Sequence, residues 1–299
     1  MVKAVIDLGT NSVKCLIASV GKESAGILLD LNKTTRLGEE IAATGRIGTR
    51  AMERNLLFLR EIQRRCQELR VEKVVCVGAE TLRRSQDTAV FKNRIYGEFG
   101  WELRTLSPRD EARLIFKASA RMAPPGVSTL VFDTGGGSTE FSWGRDGAIT
   151  SSYSLPLGAV ILTSKFINSD PVSREDLTAL SAYAGDQLTK LIRTETPFTI
   201  GCGGCLTTLA AVALKLGQYD AGRIQGFSLT QQEVARQVDL YRESNDRERK
   251  NITGLPADRA DIILAGAVIV LEILGYFSLS GIAVSTYGLR HALLEGIKP

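Results

Sequence analysis

Histidine is almost missing from this chain: His291 is the only one in 299 residues. A Ser-His-Asp triad or a histidine-rich metal centre therefore has little to draw on. Cysteine is scarce as well. The five, at 15, 66, 76, 202 and 205, are odd in number and scattered, which argues against a disulfide framework. Cys202-Gly-Gly-Cys205 has redox or half-zinc spacing, but no second pair completes it, and it reads as a turn of small residues. Long hydrophobic runs are absent. The longest, Ile262 to Leu271, ends at Glu272, is too short to span a bilayer and reads as a buried helix. The N-terminus has no basic segment followed by an apolar one, so no export is expected; the expectation is a cytoplasmic protein without a membrane partner. Charge of one sign is not in excess either. A net charge of +4 permits an anionic ligand but excludes the basic surplus of a nucleic-acid binder.

What the chain does have is glycine, 29 residues, gathered into turns. The strongest signal is Leu130-Val-Phe-Asp133-Thr-Gly135-Gly136-Gly137-Ser138-Thr-Glu140. An apolar run favours a buried strand, and a carboxylate stands at its end. Three successive glycines cost backbone entropy and pack nothing, so they fit where something must approach the main chain closely. Exposed N–H groups in such a turn form a concave anion site. Asp133 and Glu140, with Asp7 as a further candidate, offer the oxygen ligands that a hard divalent cation takes. Near the N-terminus the pattern recurs as Ala4-Val-Ile-Asp7-Leu-Gly9-Thr10-Asn11-Ser12. Both copies read Asp-x-Gly-x-x-Ser. A repeat of strand, phosphate turn and strand predicts two similar α/β lobes facing each other across a cleft.

Between the copies, residues 49–70 carry Leu56, Leu59 and Ile62 at helical spacing, with arginines 50, 54, 60, 64, 65 and 70 as a solvated face. A strand over Val71 to Val77 leads into a loop holding Arg83 and Arg84, an anion contact in an α/β frame. Ser107-Pro108-Arg-Asp110-Glu111 has the marks of a helix start, with Ser107 as N-cap, and the helix is expected to run to Met122. Pro124-Pro125-Gly126 is the best linker signal. After it come strands near 130–133, 138–143 and 148–155, and a helix from Ser173 extended by Gln187 to Ile192. Pro197-Phe-Thr-Ile200-Gly201-Cys-Gly203-Gly204 predicts a short strand whose glycine turn delivers an amphipathic helix, a third phosphate cradle. Thr230-Gln-Gln-Glu233 reads as a capping box, and a last strand near Ile282 to Ser285 precedes a helix from Leu289 to Leu294. With histidine scarce, a carboxylate has to act on the water or acceptor of any phosphoryl transfer.

Asp7-Leu-Gly-Thr-Asn-Ser12, Arg83 after a strand, Asp110-Glu111-Ala-Arg113, Asp133-Thr-Gly-Gly-Gly-Ser-Thr-Glu140, Gly201-Cys-Gly-Gly204 and Tyr287-Gly-Leu-Arg290 follow in that order over nearly the whole chain. Together they resemble the exopolyphosphatase/guanosine-pentaphosphate phosphatase (Ppx/GppA) family. The resemblance implies an α/β fold of two actin-like, ribonuclease H-like lobes around a central cleft. These are placed at 1–124 and 125–286, with a last helix at about 287–299 packing back on the first. It implies hydrolysis of terminal phosphoanhydride bonds in inorganic polyphosphate, of the 5′-phosphate of guanosine pentaphosphate, or of both, a place in the stringent response, and a homodimer as one assembly. Carried over by position, Glu111 would activate the attacking water, and Asp133 and Glu140, with Asp7, would hold Mg2+ (or Mn2+). Gly9, Thr10, Asn11, Ser12, Arg83, Gly135, Gly136, Gly137, Ser138, Gly201, Gly203 and Gly204 would contact phosphate. Three departures stand out: Ala79-Glu80-Thr81 where the family usually has Thr-Ser-Ala, Asp87 for a common Asn, and Cys202 and Cys205 in the third turn. The family's long members carry a C-terminal extension related to histidine–aspartate phosphohydrolases; its absence here predicts a preference for short chains. Two other classes fit the same signals. One is an ATP-dependent phosphotransferase of the sugar-kinase and actin superfold, and the other a guanosine-tetraphosphate-binding module with weak activity.

Overall fold

The computed structural model describes residues 1–21, 25–192 and 198–296. It separates into two compact units, Met1–Leu114 with Leu289–Pro299, and Ile115–Gly288.

In the first unit, β1 (Val2–Leu8), β2 (Ser12–Val20), β3 (Ala25–Thr34), β4 (Lys73–Gly78) and β5 (Leu103–Thr105) form one sheet in the order β3-β2-β1-β4-β5. Strand β1 pairs antiparallel with β2 and parallel with β4. Its central place explains why Ala4, Val5, Ile6 and Leu8 are all apolar and fully buried. Five helices accompany the sheet: α1 (Ile41–Thr44), α2 (Thr49–Glu68), α3 (Glu80–Arg84), α4 (Thr88–Phe99) and α5 (Pro108–Ser119). Helix α2 buries Leu56, Leu59, Ile62 and Cys66 and leaves its arginines outside, where Arg60 meets Glu98 and Arg64 meets Glu68. Ser107 caps α5 as its sequence requires, accepting the Asp110 N–H at 3.1 Å.

The second unit holds β6 (Thr129–Thr134), β7 (Thr139–Arg145), β8 (Ala148–Leu155), β9 (Phe198–Cys202), β10 (Ser228–Thr230) and β11 (Gly281–Val284), in the order β10-β11-β9-β6-β7-β8. Again the first strand pairs antiparallel with the second and parallel with the strand that follows a helical crossover. Leaving β10 aside, the order is that of the first sheet, so the sequence repeat is a repeat of topology: two ribonuclease H-like, actin-like sheets. Its helices are α6 (Ala159–Phe166), α7 (Arg174–Leu188), α8 (Gly204–Ala213), α9 (Ala221–Ile224), α10 (Gln231–Glu243), α11 (Asp246–Arg249) and α12 (Ile263–Tyr276). The core gathers Phe132, Phe141 and Trp143 from the sheet around α12, which is apolar on nearly every face because helices pack on it from several sides. A last helix, α13 (Leu289–Leu294), belongs to the first unit and packs on β1 and β2. Among the described residues no helix is long and apolar enough to cross a membrane.

Several local expectations needed correction. The segment after β4 is a helical turn rather than a loop. Helix α7 stops at Leu188, so Gln187 to Ile192 does not extend it. Helix α8 is buried on most of its surface instead of being amphipathic, since α12 and the sheet enclose it. Thr230 caps α10, but Glu233 turns to Arg236 and Gln237, so its half of the box is missing; the reciprocal box sits at Asn245 and Glu248. The units meet in sequence within α5, ahead of Pro124. Pro197, where the sequence begins the strand before the third turn, lies outside the described residues.

Candidate active site

The turn between β1 and β2 is closed by the Gly9 N–H donating to the Ser12 carbonyl at 3.1 Å. The turn between β6 and β7 is closed in the same way, Gly135 N–H to Ser138 carbonyl at 2.9 Å. In the first, the outward carbonyls are occupied: Asn11 accepts from Thr35 and Arg36, and Thr10 from Gly38. The Thr81 hydroxyl donates to that of Thr10 at 2.9 Å. The Thr10 and Asn11 N–H groups have no partner among the described residues, and the buried Asn11 Nδ2 has none either. Orphaned buried donors are rare, and here they converge on one turn. Asp7 ends the same strand opposite Lys14, with burial raising its carboxyl above the ordinary value against the pull of Lys14 and Arg290.

Nearby in the chain, Arg83 on α3 is the hub of a second cluster. Its Nη1 donates to the Leu106 carbonyl and to Glu111 Oε2, both at 2.9 Å, and its Nη2 to Glu80 Oε2 at 2.8 Å. Burial disfavours its charge, but Glu111 and Glu80 outweigh that and hold the guanidinium firmly protonated. Asp87 is spent on the fold, its carboxylate accepting the Ile47 N–H at 2.9 Å and the Gly48 N–H at 3.3 Å.

In the second unit, Asp133 and Glu140 stand directly opposite each other on β6 and β7. Glu140 is 4% exposed, and its Oε1 accepts the Ser138 hydroxyl at 2.6 Å and that of Ser154 at 3.0 Å. The glycine turn is backed by the start of α6: Ala159 N–H donates to Gly135 and Val160 N–H to Gly136. The Gly136, Gly137 and Ser138 N–H groups have no partner among the described residues. In the third turn, Gly203 has φ +97°, and a Cβ there would lie 2.3 Å from Asp133 Oδ1. A Cβ on Gly204, the first residue of α8, would lie 2.3 Å from Arg259 Nη1, so a buried guanidinium rests on the positive end of that helix. Gly201 lies inside β9 against Ile282 and Leu206, where lack of a side chain serves packing. The thiols face away from the turn, Cys202 donating to the Phe132 carbonyl and Cys205 packing on Gly266.

The model of the Ppx/GppA phosphatase family matches residues 16–299. The chain belongs to the Ppx/GppA phosphatase family. It is 31% identical to exopolyphosphatase 2 of Mycobacterium tuberculosis, over 98% of this chain and 96% of that one. It is 30% identical to a bifunctional 3-dehydroquinate synthase/phosphatase of Fusobacterium nucleatum, of which it spans only 46%. Among solved structures, the Aquifex aeolicus Ppx/GppA family member superposes with a TM-score of 0.83 at 31% identity, covering 99% of this chain and 96% of that one. An exopolyphosphatase from Cytophaga hutchinsonii superposes at 0.91 with 26% identity, covering 100% and 99%.

For a Ppx/GppA chain the donor set fits a hard divalent cation. The two opposed carboxylates offer oxygen, with hydroxyls fixing one of them, and among the described residues no third His, Cys, Asp or Glu is grouped with them. Two protein oxygens with the rest left to water and phosphate is the manner in which Mg2+ is usually held. Sequence reasoning missed Ser154, Arg259 and Gly158, where a Cβ would lie 2.3 Å from the Gly136 carbonyl oxygen. None of the three carries a local signature.

Proposed function

We propose that this Ppx/GppA chain is a phosphoanhydride hydrolase that releases terminal phosphate from inorganic polyphosphate, from guanosine pentaphosphate, or from both. The observation that carries the reading is the duplicated Asp-x-Gly-x-x-Ser turn, closed identically twice and leaving its amide donors unpartnered. Repeated nests of N–H groups suit a ligand with phosphate at regular intervals, and a nucleotide is recognised there through the same phosphates.

Arg83 fixes the Glu111 carboxylate, which takes the proton from the attacking water as the water oxygen bonds the terminal phosphorus. The bridging oxygen leaves with the shortened chain. The Gly9–Ser12 turn and Arg83, the Gly135–Ser138 turn, and Gly203, Gly204 and Arg259 hold phosphoryl oxygens, and Asp133 and Glu140 would hold the cation. When bound, Mg2+ neutralises phosphoryl charge as it builds.

The test is phosphate release, with Mg2+ present, from tripolyphosphate, long polyphosphate and guanosine pentaphosphate. Glu111→Gln should cut kcat by about 10²- to 10⁴-fold, as expected for loss of a general base. No release from any of the three, or full turnover in Glu111→Gln, overturns the reading.

A further inference from the structure

Arg83 does not stand ready for an anion. Besides the Leu106 carbonyl, its guanidinium carries two carboxylates, Glu111 on Nη1 and Glu80 on Nη2. All three side chains are a fifth exposed or less: 17% for Arg83, 20% for Glu80 and 14% for Glu111. With a carboxylate on each terminal nitrogen, the Arg83 guanidinium has its charge already compensated before any phosphate arrives.

The two carboxylates are not equivalent. Glu111 reaches Arg83 from another helix, 28 residues along, and its bond orients the residue to which the proposed reaction assigns the proton. Glu80 and Arg83 are three apart on α3, neighbours on one helical face, so their pairing follows from the short helix itself. Glu80 also has somewhere to go. Its other oxygen, Oε1, is 3.9 Å from Arg84 Nη1, so a small rotation would carry the side chain from one guanidinium to the next.

We propose that Glu80 is a built-in stand-in for phosphate. It neutralises Arg83 in the empty protein and is displaced to Arg84 when a phosphoryl group takes its place on Nη2. A phosphoryl group, with more charge and three oxygens, outcompetes a single carboxylate for a guanidinium. Displacing Glu80 subtracts from the binding of every phosphate at this position. A polyphosphate offsets that through its other phosphates on the amide turns, whereas a lone orthophosphate cannot. Glu80 therefore weakens retention of the product and sets a minimum anionic charge for the ligand. The inference rests on the assignment of Arg83 as a phosphate contact in the proposed hydrolase.

The experiment measures KM for tripolyphosphate, the inhibition constant of orthophosphate, and calorimetric binding of both, in wild type, Glu80→Gln and Glu80→Ala. The expected result is that KM and the orthophosphate constant each fall about fivefold or more in both variants, the scale of one competing charged hydrogen bond, with KM changing more than kcat. In an Arg83→Met background the same substitutions should have no effect, because the coupling runs through that guanidinium. Unchanged or weaker phosphate binding in Glu80→Gln and Glu80→Ala, or the same gain with Arg83 removed, overturns the role of Glu80 while leaving the hydrolase intact. A wild type that neither binds nor hydrolyses tripolyphosphate overturns both.

Discussion

Gly203 is the position where one methyl group should do most harm. Its φ of +97° is strained for any L side chain, and the added carbon would press on the Asp133 carboxylate. Gly203→Ala is expected to destabilise the protein by about 1–3 kcal/mol and to lower kcat beyond what stability explains, read by thermal unfolding beside phosphate release. Asn11 makes the complementary case. Its buried Nδ2 lacks an acceptor, so Asn11→Asp turns a donor awaiting an anion into a carboxylate facing one. KM for tripolyphosphate should rise at least about tenfold, the cost of one misplaced charge, and an unchanged KM would remove this turn from the phosphate site. Glu140→Gln keeps its neighbours' shape but loses a charge, and the Mg2+ concentration for half-maximal rate should rise at least about tenfold, consistent with loss of one hard ligand.

Helix α13 is short, and side chains from the sheet hold it. Lys3 is buried on β1 and donates to the Leu293 and Leu294 carbonyls at the C-terminal end of the helix, the first of which also accepts the Gly296 N–H. Burial lowers its ammonium below the ordinary value, with Lys73 adding to the effect. Arg290 pairs with Asp30 on β3. Lys3→Met should cost about 1–3 kcal/mol, the penalty for stranding the Leu294 carbonyl. The same helix holds the lone histidine. Burial pushes the His291 imidazole down to about 4, Arg290 and Lys14 reinforcing that against Asp30 and Glu295. Unfolded, the ring protonates near its usual ~6.5, so between those values the unfolded chain binds the extra proton. Stability is then lost as pH falls from about 6.5 towards 4, on the order of 2 kcal/mol after allowing for partial exposure. Denaturant midpoints at pH 7 and 5 should converge in His291→Gln. The raised carboxyl of Asp7 acts in the opposite sense, so the comparison with the variant is the decisive one.

At the scale of the molecule, the chain leaves the first unit within α5, builds all of the second, and returns for α13. Removing residues after Gly288 should therefore open the first unit selectively. Hydrogen exchange should show β1 and β2 losing protection while β6, β7 and β9 keep theirs; uniform loss would refute the division. Much of this plan was legible in the sequence. The two Asp-x-Gly-x-x-Ser turns, the Ser107 cap and the buried run from Ile262 are local patterns, and local rules place them. Helix α3 was not legible, since five residues carry too little periodicity to separate a turn of helix from a loop. Nor was the true capping box at Asn245, which competed with an equally good match at Thr230.

By itself, then, the sequence determined the repeated turns, the acids at their ends and the order of strands and helices around them, because each depends on residues a few positions apart. Only the tertiary structure decided which side chains those turns and acids meet. Strand β9 inserted beside β6 brings Gly203 under Asp133, Gly158 backs Gly136, and Arg259 settles on Gly204. Glu111 and Glu80 come to share one guanidinium. Apart from Glu80 and Arg83, three apart on α3, such partners lie tens of residues apart, and no short-range preference selects them. Strand order and packing do, and they determine whether Arg83 waits for phosphate charged or already neutralised.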